Sequence, residues 1–93
     1  MLHLVVAYDV VDDYQRARLA RFLRGYLEHV QKSVFEGEIA EGRLSDLLAG
    51  IRERIDPAAD SVRIYTLCGR CQGQTEVIGT GIYVEPEEGD IVV

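Results

Sequence analysis

The N-terminal segment Leu2–Tyr8 constrains the fold more than any other part of the chain. It is rich in valine and leucine and contains no Asp, Glu, Lys or Arg. Apolar side chains occupy both odd and even positions, which is typical of a strand buried on both faces of a sheet. The run is much shorter than the about 20 apolar residues that a membrane-spanning helix needs. We therefore expect a central strand in a sheet.

Two segments with helical spacing of apolar residues follow this strand. The first covers about 14–27, and Asp12 and Asp13 directly before it are candidate N-caps. The second covers 44–55 and ends before Pro57. Each would place one apolar face on the sheet.

Further strands are predicted at Val30–Glu36, Val62–Cys68, Thr75–Ile78 and Ile82–Glu85. A chain of 93 residues has room for one domain. We predict an α+β, ferredoxin-like βαββαβ two-layer sandwich over residues 1–79. Residues 80–93 are predicted to form an extra C-terminal strand and an acidic tail that packs on a partner.

Two layers leave one sheet face without helices, and the first strand is apolar there as well. Val5 and Ala7 lie on one side of that strand, and Phe35, Tyr65 and Leu67 are candidates to extend the open face. An uncovered apolar face usually marks an interface. We therefore predict a homodimer joined through sheet faces.

The net charge of −6 hides a basic segment between Tyr14 and Phe35. Its basic residues are Arg16, Arg18, Arg21, Arg24 and Lys32, against one acidic residue, Glu28. On a helical wheel, the arginines at 18, 21 and 24 share the face opposite the apolar one. This face is either a solvated helix surface or a binding surface for a polyanion such as nucleic acid.

Asp9 ends the first strand on the side of Val5 and Ala7. An Asp there commonly starts a turn. The alternative is a metal ligand: Mg²⁺ is held by one or two carboxylates, so twofold pairing of Asp9 would complete a site that one chain lacks. Mn²⁺ is an alternative occupant of such an oxygen site.

The pair Cys68-x-x-Cys71 is expected to be two reduced thiols in a strand-to-strand turn. The chain shows no export signal, so a cytoplasmic location is expected and a disulfide is not assumed. A zinc site needs four ligands, and the two histidines are not at finger spacing. A redox pair of the thioredoxin type would need the motif to open a helix.

Four motifs, in this order along the chain, resemble those of a family of CRISPR-associated proteins. The family is that of the second of the two adaptation proteins, the small partner of the CRISPR integrase. The motifs are Tyr8–Asp13, the helix Arg16–Leu23, Val30–Glu36 and Asp60–Cys68. The resemblance implies a ferredoxin-like homodimer that bridges the integrase and binds double-stranded DNA during spacer acquisition. It also implies a Mg²⁺-dependent endonuclease acting on DNA or single-stranded RNA.

In that family the Asp that matches Asp9 binds the metal from both subunits and serves catalysis. Arg16 and Arg18 match basic positions of the family. Ser33 and Phe35 match a segment that is linked to the active region. Tyr8 of the first motif is a further candidate for that region. Two alternatives stay open: a non-catalytic DNA-binding scaffold, and a toxin-type ribonuclease of related fold. An amino-acid sensor of the same fold would need a glycine-rich turn after the first strand, which this chain lacks.

Overall fold

A four-stranded antiparallel sheet forms one layer of the molecule in the computed structural model, which describes residues 1–81, 83 and 84. The strands are β1 (Leu2–Asp9), β2 (Glu28–Gln31), β3 (Val34–Ile39) and β4 (Ser61–Leu67). Their spatial order is β2-β3-β1-β4, so β1 is central, as its apolar sequence predicts. It pairs antiparallel with β3 on one side and with β4 on the other.

Two helices form the second layer. They are α1 (Asp13–Arg24) and α2 (Leu44–Arg52), the latter preceded by a 3₁₀ turn at Glu41–Arg43. The order of elements through β4 is βαββαβ, so the predicted ferredoxin-like class is confirmed, although the strands and helices predicted individually run βαβαββ through residue 78. A short helix, α3 (Gly69–Gly73), follows β4. None of the helices in the described part of the chain has the length and apolar composition of a membrane span.

The predicted single strand Val30–Glu36 is wrong, because the chain reverses within it at Lys32 and Ser33. The residues on each side pair with each other as the β2–β3 hairpin, with a bulge between His29 and Gln31. Tyr8 holds the turn: its backbone N–H donates to the Ser33 carbonyl at 3.1 Å, and its hydroxyl donates to the Lys32 carbonyl at 3.4 Å. The hairpin supplies the second and third strands of the fold.

The predicted strand Thr75–Ile78 is also wrong. Val77 and Ile78 are 68% and 94% exposed, so their apolar side chains have no sheet to pack against. The predicted strand-to-strand turn at Cys68-x-x-Cys71 is instead the start of α3, with Cys68 as its N-cap residue. Of the predicted strand at 82–85, residues 82 and 85 lie outside the described residues, as does the acidic tail, so both stay predictions.

The core lies between the helices and one face of the sheet. It contains Leu4, Val6 and Tyr8 of β1, with Leu19, Leu23, Phe35, Ile39, Leu47 and Ile51 from the neighbouring elements. Phe35 is fully buried there, so its predicted contribution to the open sheet face is wrong. The reason is the strand register: Phe35 pairs with Val6, whose side chain points to the helices.

Open sheet face and basic helix as a candidate functional site

The face of the sheet without helices carries mixed apolar and charged side chains. The register places Val5 opposite Tyr65 and His3 opposite Leu67. Tyr65 is 48% exposed, so a large ring faces solvent on this side in the single chain. Tyr65 and Leu67 therefore lie on the face that the helices leave open, as predicted. This open sheet face is therefore the apolar surface on which the predicted dimer depends.

Asp9 is the last residue of β1 and is exposed. It pairs with Ser61 at the start of β4, and strand alternation places it on the open sheet face with Val5 and Ala7. Arg63 pairs with Ala7, so a guanidinium-bearing residue lies on the same face, two residues along β4 from Ser61. The strand register thus groups one acidic and one basic side chain at one end of the open sheet face.

The loop directly after Asp9 is held by Asp60, a residue to which the sequence patterns assign no role. Its two carboxylate oxygens accept hydrogen bonds from the backbone N–H of Val11 at 2.9 Å and of Asp56 at 2.8 Å. These bonds lower the pKa of the Asp60 carboxyl, because they stabilise its charged form. The loop after β1 is thereby tied to the connection between α2 and β4.

The other two acidic residues of this loop have partners of their own. Asp12 is the N-cap of α1, as predicted, and accepts a hydrogen bond from the Gln15 backbone N–H at 2.9 Å. Asp13 pairs with Arg16. Among the residues that the structure describes, neither carboxylate joins Asp9 in a cluster that could hold a metal.

One chain does not present a complete metal site within its described residues, where no group of three or more His, Cys, Asp or Glu could hold an ion. Asp9 fits a divalent cation only as half of a site. Its oxygen ligand is of the type that Mg²⁺ prefers, and its position on an open face would let a second copy add the second carboxylate. Asp9 would therefore hold such an ion together with its counterpart in a second copy.

The basic residues of α1 do not all have the same environment. Arg16 is half-buried and donates to the Val10 carbonyl at 2.8 Å, besides its pair with Asp13. It therefore buttresses the loop after β1. Arg18 donates to the Gln15 side chain at 2.9 Å and stays partly exposed, and Arg21 and Arg24 are exposed in the last turn. We call Arg18, Arg21 and Arg24 the arginine face.

Lys32 is exposed in the β2–β3 turn, at the end of the sheet where β1 ends in Asp9. Tyr8 and Phe35 are core residues at this end, with ring centroids 6.2 Å apart. Ser33 is half-buried, and its carbonyl accepts the Tyr8 N–H. These last three residues support the strand end that carries Asp9, and their role in an active region stays a prediction.

Two arginines of the helical layer are additional cationic groups that the sequence patterns do not single out. The Arg43 guanidinium lies 4.4 Å from the ring centroid of Tyr26, and that of Arg54 lies 4.2 Å from the ring centroid of Phe22. Cation–π contacts of this kind fix an arginine plane on an aromatic face. Sequence spacing does not indicate either contact, because each joins residues that are far apart along the chain.

The fold and these side chains define a small ferredoxin-like α+β protein with a basic helix on one layer and an acidic strand end on the open sheet face. Residues 1–75 match the family model described as CRISPR associated protein Cas2. The CRISPR-associated endonuclease Cas2 2 of Thermus thermophilus is 41% identical over 87 residues, covering 94% of this chain and 92% of its own. The chain therefore belongs to the CRISPR-associated Cas2 family, and the predicted family resemblance is confirmed.

Another relative and two solved structures agree with this assignment. The CRISPR-associated endoribonuclease Cas2 2 of Methanospirillum hungatei is 39% identical over the whole of both chains. The crystal structure of Streptococcus pyogenes Cas2 at pH 6.5 has a TM-score of 0.73 at 28% identity, covering 83% of this chain and 99% of its own. A chain in a partial Cas6-RT-Cas1–Cas2 complex has a TM-score of 0.71 at 29% identity, covering 84% and 91%.

Proposed function

We propose that this protein is a CRISPR adaptation subunit that binds double-stranded DNA along the arginine face and joins an integrase subunit during spacer acquisition. The observation that carries the proposal is the arginine face itself, three cationic side chains on one side of α1 in a chain whose net charge is −6. Family membership supports the partner, because a similar chain belongs to a complex that also contains Cas1.

Phosphate contacts from arginine position a duplex without reading its sequence. Arginine suits this role, because its planar fork can bind a phosphate through two parallel hydrogen bonds. Each neutralised phosphate contributes about −0.9 to the slope of log K against log salt. At about 0.1 M salt, one contact is therefore worth about 0.9 log units of affinity.

Fluorescence anisotropy of a short labelled duplex, titrated at several salt concentrations, tests this surface. Arg18→Glu with Arg21→Glu should lower affinity by roughly 60-fold at about 0.1 M salt and make the slope shallower by about 1.8, counting one phosphate contact for each of the two substituted positions. The matched control is Arg52→Glu with Arg70→Glu, which changes the net charge equally at exposed positions of α2 and α3. Equal losses in both double variants would refute the assignment to the arginine face.

The second part of the proposal is a homodimer that pairs the open sheet faces. Its support is the exposed Tyr65 beside Val5 on that face. Light scattering at micromolar concentration should give a dimer mass, and Tyr65→Glu should give a monomer. Thr66→Glu places the same charge at an exposed position on the opposite face of β4 and should remain dimeric. A monomeric unsubstituted protein would contradict the dimer.

The third part is phosphodiester hydrolysis at a site built from Asp9 of two copies. These carboxylates would hold Mg²⁺, or Mn²⁺, which when bound lowers the pKa of a coordinated water and stabilises charge on a phosphodiester. Its support is the exposed carboxylate on the open sheet face, together with relatives named as endonuclease or endoribonuclease. The substrate is single-stranded RNA or double-stranded DNA.

Cleavage of both substrates is compared with Mg²⁺, with Mn²⁺ and with chelator. Asp9→Asn should abolish metal-dependent cleavage, since the amide removes the charge while keeping the shape. Asp12→Asn removes the same charge nearby but keeps an efficient N-cap, so it should retain activity. Undiminished hydrolysis by the Asp9 variant would place the activity in another site or in a contaminant.

A non-catalytic DNA-binding scaffold of the same family is the second candidate. Its support is the arginine face, which would bind a duplex whether or not Asp9 holds a metal. The two candidates differ in one measurement, because a scaffold would support spacer acquisition equally well with Asp9→Asn. A toxin-type ribonuclease would cleave RNA but would not bind the integrase subunit in a pull-down.

A further inference from the structure

The two cysteines of the chain lie together at the start of α3, directly after β4. Their sulfur atoms are 3.4 Å apart, and both side chains are exposed. Cys68 precedes the first residue of α3, and Cys71 lies within that helix. The structure therefore brings together two thiols, away from Asp9 and from the arginine face, that the proposed function does not use.

We propose that Cys68 and Cys71 form a reversible dithiol–disulfide pair that small-molecule disulfides oxidise. An S–S bond is about 2.05 Å long, so the sulfur atoms, 3.4 Å apart, need to approach by little more than about 1 Å. The intervening Gly69 has no side chain, and no atom lies within 4 Å of the position that a Cβ would occupy there.

The two thiols differ in acidity, which assigns their order of reaction. The hydrogen bond from the Cys71 backbone N–H, followed by the hydrogen bond between the two thiols, lowers the pKa of the Cys68 thiol. The same thiol–thiol interaction and the charge of Cys68 raise the pKa of Cys71. The thiolate is the attacking species in thiol–disulfide exchange. Cys68 is therefore the nucleophile, and Cys71 is the resolving thiol.

The exchange balances without any group beyond the oxidant. The Cys68 thiolate attacks one sulfur of a small-molecule disulfide, so a mixed disulfide forms and one small thiolate leaves. Cys71 then loses its proton to solvent and attacks the Cys68 sulfur. The Cys68–Cys71 bond forms, the mixed disulfide breaks and the second small thiolate leaves. Two electrons have passed from the protein to the reagent.

A metal site is the competing explanation for two adjacent cysteines. Zinc in such sites is four-coordinate. Among the described residues, no third His, Cys, Asp or Glu completes a group around this pair. Redox exchange needs only the two thiols that are present. A hydrogen bond from the Thr75 hydroxyl to the Cys71 carbonyl, at 3.0 Å, joins α3 to the segment that follows it.

The test treats the full-length reduced protein with glutathione disulfide and measures intact mass under denaturing conditions. The expected product has lost the mass of two hydrogen atoms, carries no glutathione and does not react with iodoacetamide. After reduction with dithiothreitol, both cysteines should again react with iodoacetamide. With limiting iodoacetamide, peptide mapping of the reduced protein should find Cys68 labelled ahead of Cys71.

Cys68→Ser and Cys71→Ser are the controls, and both sites are exposed, so the fold should tolerate each change. Each variant should keep one glutathione adduct, because the second thiol needed to displace it is missing. Accumulation of unsubstituted protein with two adducts, or of disulfide-linked dimers, would overturn the proposal. Labelling of Cys71 first would overturn the assignment of Cys68 as nucleophile.

Discussion

Gly50 lies where α2 packs against α1, and the structure leaves no room there for a methyl group. A Cβ at this position would lie 2.0 Å from Cζ and 2.6 Å from Cε1 of Phe22. Carbon atoms pack at about 3.5–4.0 Å, so Gly50→Ala requires the Phe22 ring to move by about 1.5 Å or more. The ring already contacts Arg54, at 4.2 Å, and Tyr26, at 5.1 Å between centroids.

The free-energy cost of Gly50→Ala depends on which contacts the movement of the Phe22 ring disturbs. Losing the cation–π contact costs about 0.5–1 kcal/mol, and losing the aromatic pair costs about 0.5–1.5 kcal/mol. Residual crowding keeps the total within the about 1–3 kcal/mol that overpacking usually costs. Alanine in a helix interior offsets about 1 kcal/mol of this. The difference is about 0–2 kcal/mol, so we expect Gly50→Ala to destabilise the protein by up to about 2 kcal/mol, which lowers Tm by about 4–8 °C per kcal/mol in a domain of this size.

Thermal unfolding followed by circular dichroism, at one fixed protein concentration, measures the effect. Gly42→Ala is the matched control, because no atom lies within 4 Å of its Cβ position, and it should cost nothing. Phe22→Leu in the same background should reduce the penalty of Gly50→Ala, since the ring is what the methyl group meets. If Gly50→Ala unfolds at or above the Tm of the unsubstituted protein, the reasoning about this helix contact is refuted.

Two further predictions concern the loop after β1. The lowered pKa of Asp60 means that its bonds to Val11 and Asp56 contribute stability above the ordinary carboxyl pKa, and that this contribution is lost as the pH falls through the lowered value. The difference in unfolding free energy between the unsubstituted protein and Asp60→Asn should therefore be largest at neutral pH and shrink below about pH 4. Urea titrations at several pH values measure this difference. A difference that stays constant with pH would contradict the prediction. Asp12→Ala removes the N-cap bond to Gln15 and should cost about 0.5–2 kcal/mol, whereas Asp12→Asn should cost little, and equal Tm values for the two would contradict the capping role.

The elements that the sequence predicts best are those with a long apolar signal. Leu2–Tyr8 is a continuous apolar run, and the two helical segments bury apolar residues at helical spacing, so local sequence and tertiary packing agree. The β2–β3 turn at Lys32 and Ser33 contains no Gly, Pro, Asn or Asp, and it joins two short strands whose composition resembles that of one strand. A five-residue helix such as α3 is too short to show any period.

The candidate site divides in the same way. Strand alternation is enough to place Asp9 and Tyr65 on one face, because the side-chain period of a strand is fixed. The burial of Phe35 depends on the register of β3 against β1, which local sequence does not contain. Arg16 does not belong to the arginine face, because its guanidinium donates to the Val10 carbonyl in the loop before α1. A helical wheel does not show a contact with a residue outside the helix.

The position of Asp9 is therefore set by two other elements of the fold. Arg16 of α1 holds the Val10 carbonyl, and Asp60 before β4 holds the Val11 N–H, so successive residues after Asp9 are fixed from opposite sides. A loss of hydrolysis on replacing Arg16 would consequently report the position of this loop as well as any phosphate contact. Arg21 is exposed in the last turn of α1, at the other end of the helix from this loop, so its replacement tests duplex binding separately. In this architecture, replacing Arg21 separates the electrostatic contribution to duplex binding from the geometry of the acidic strand end.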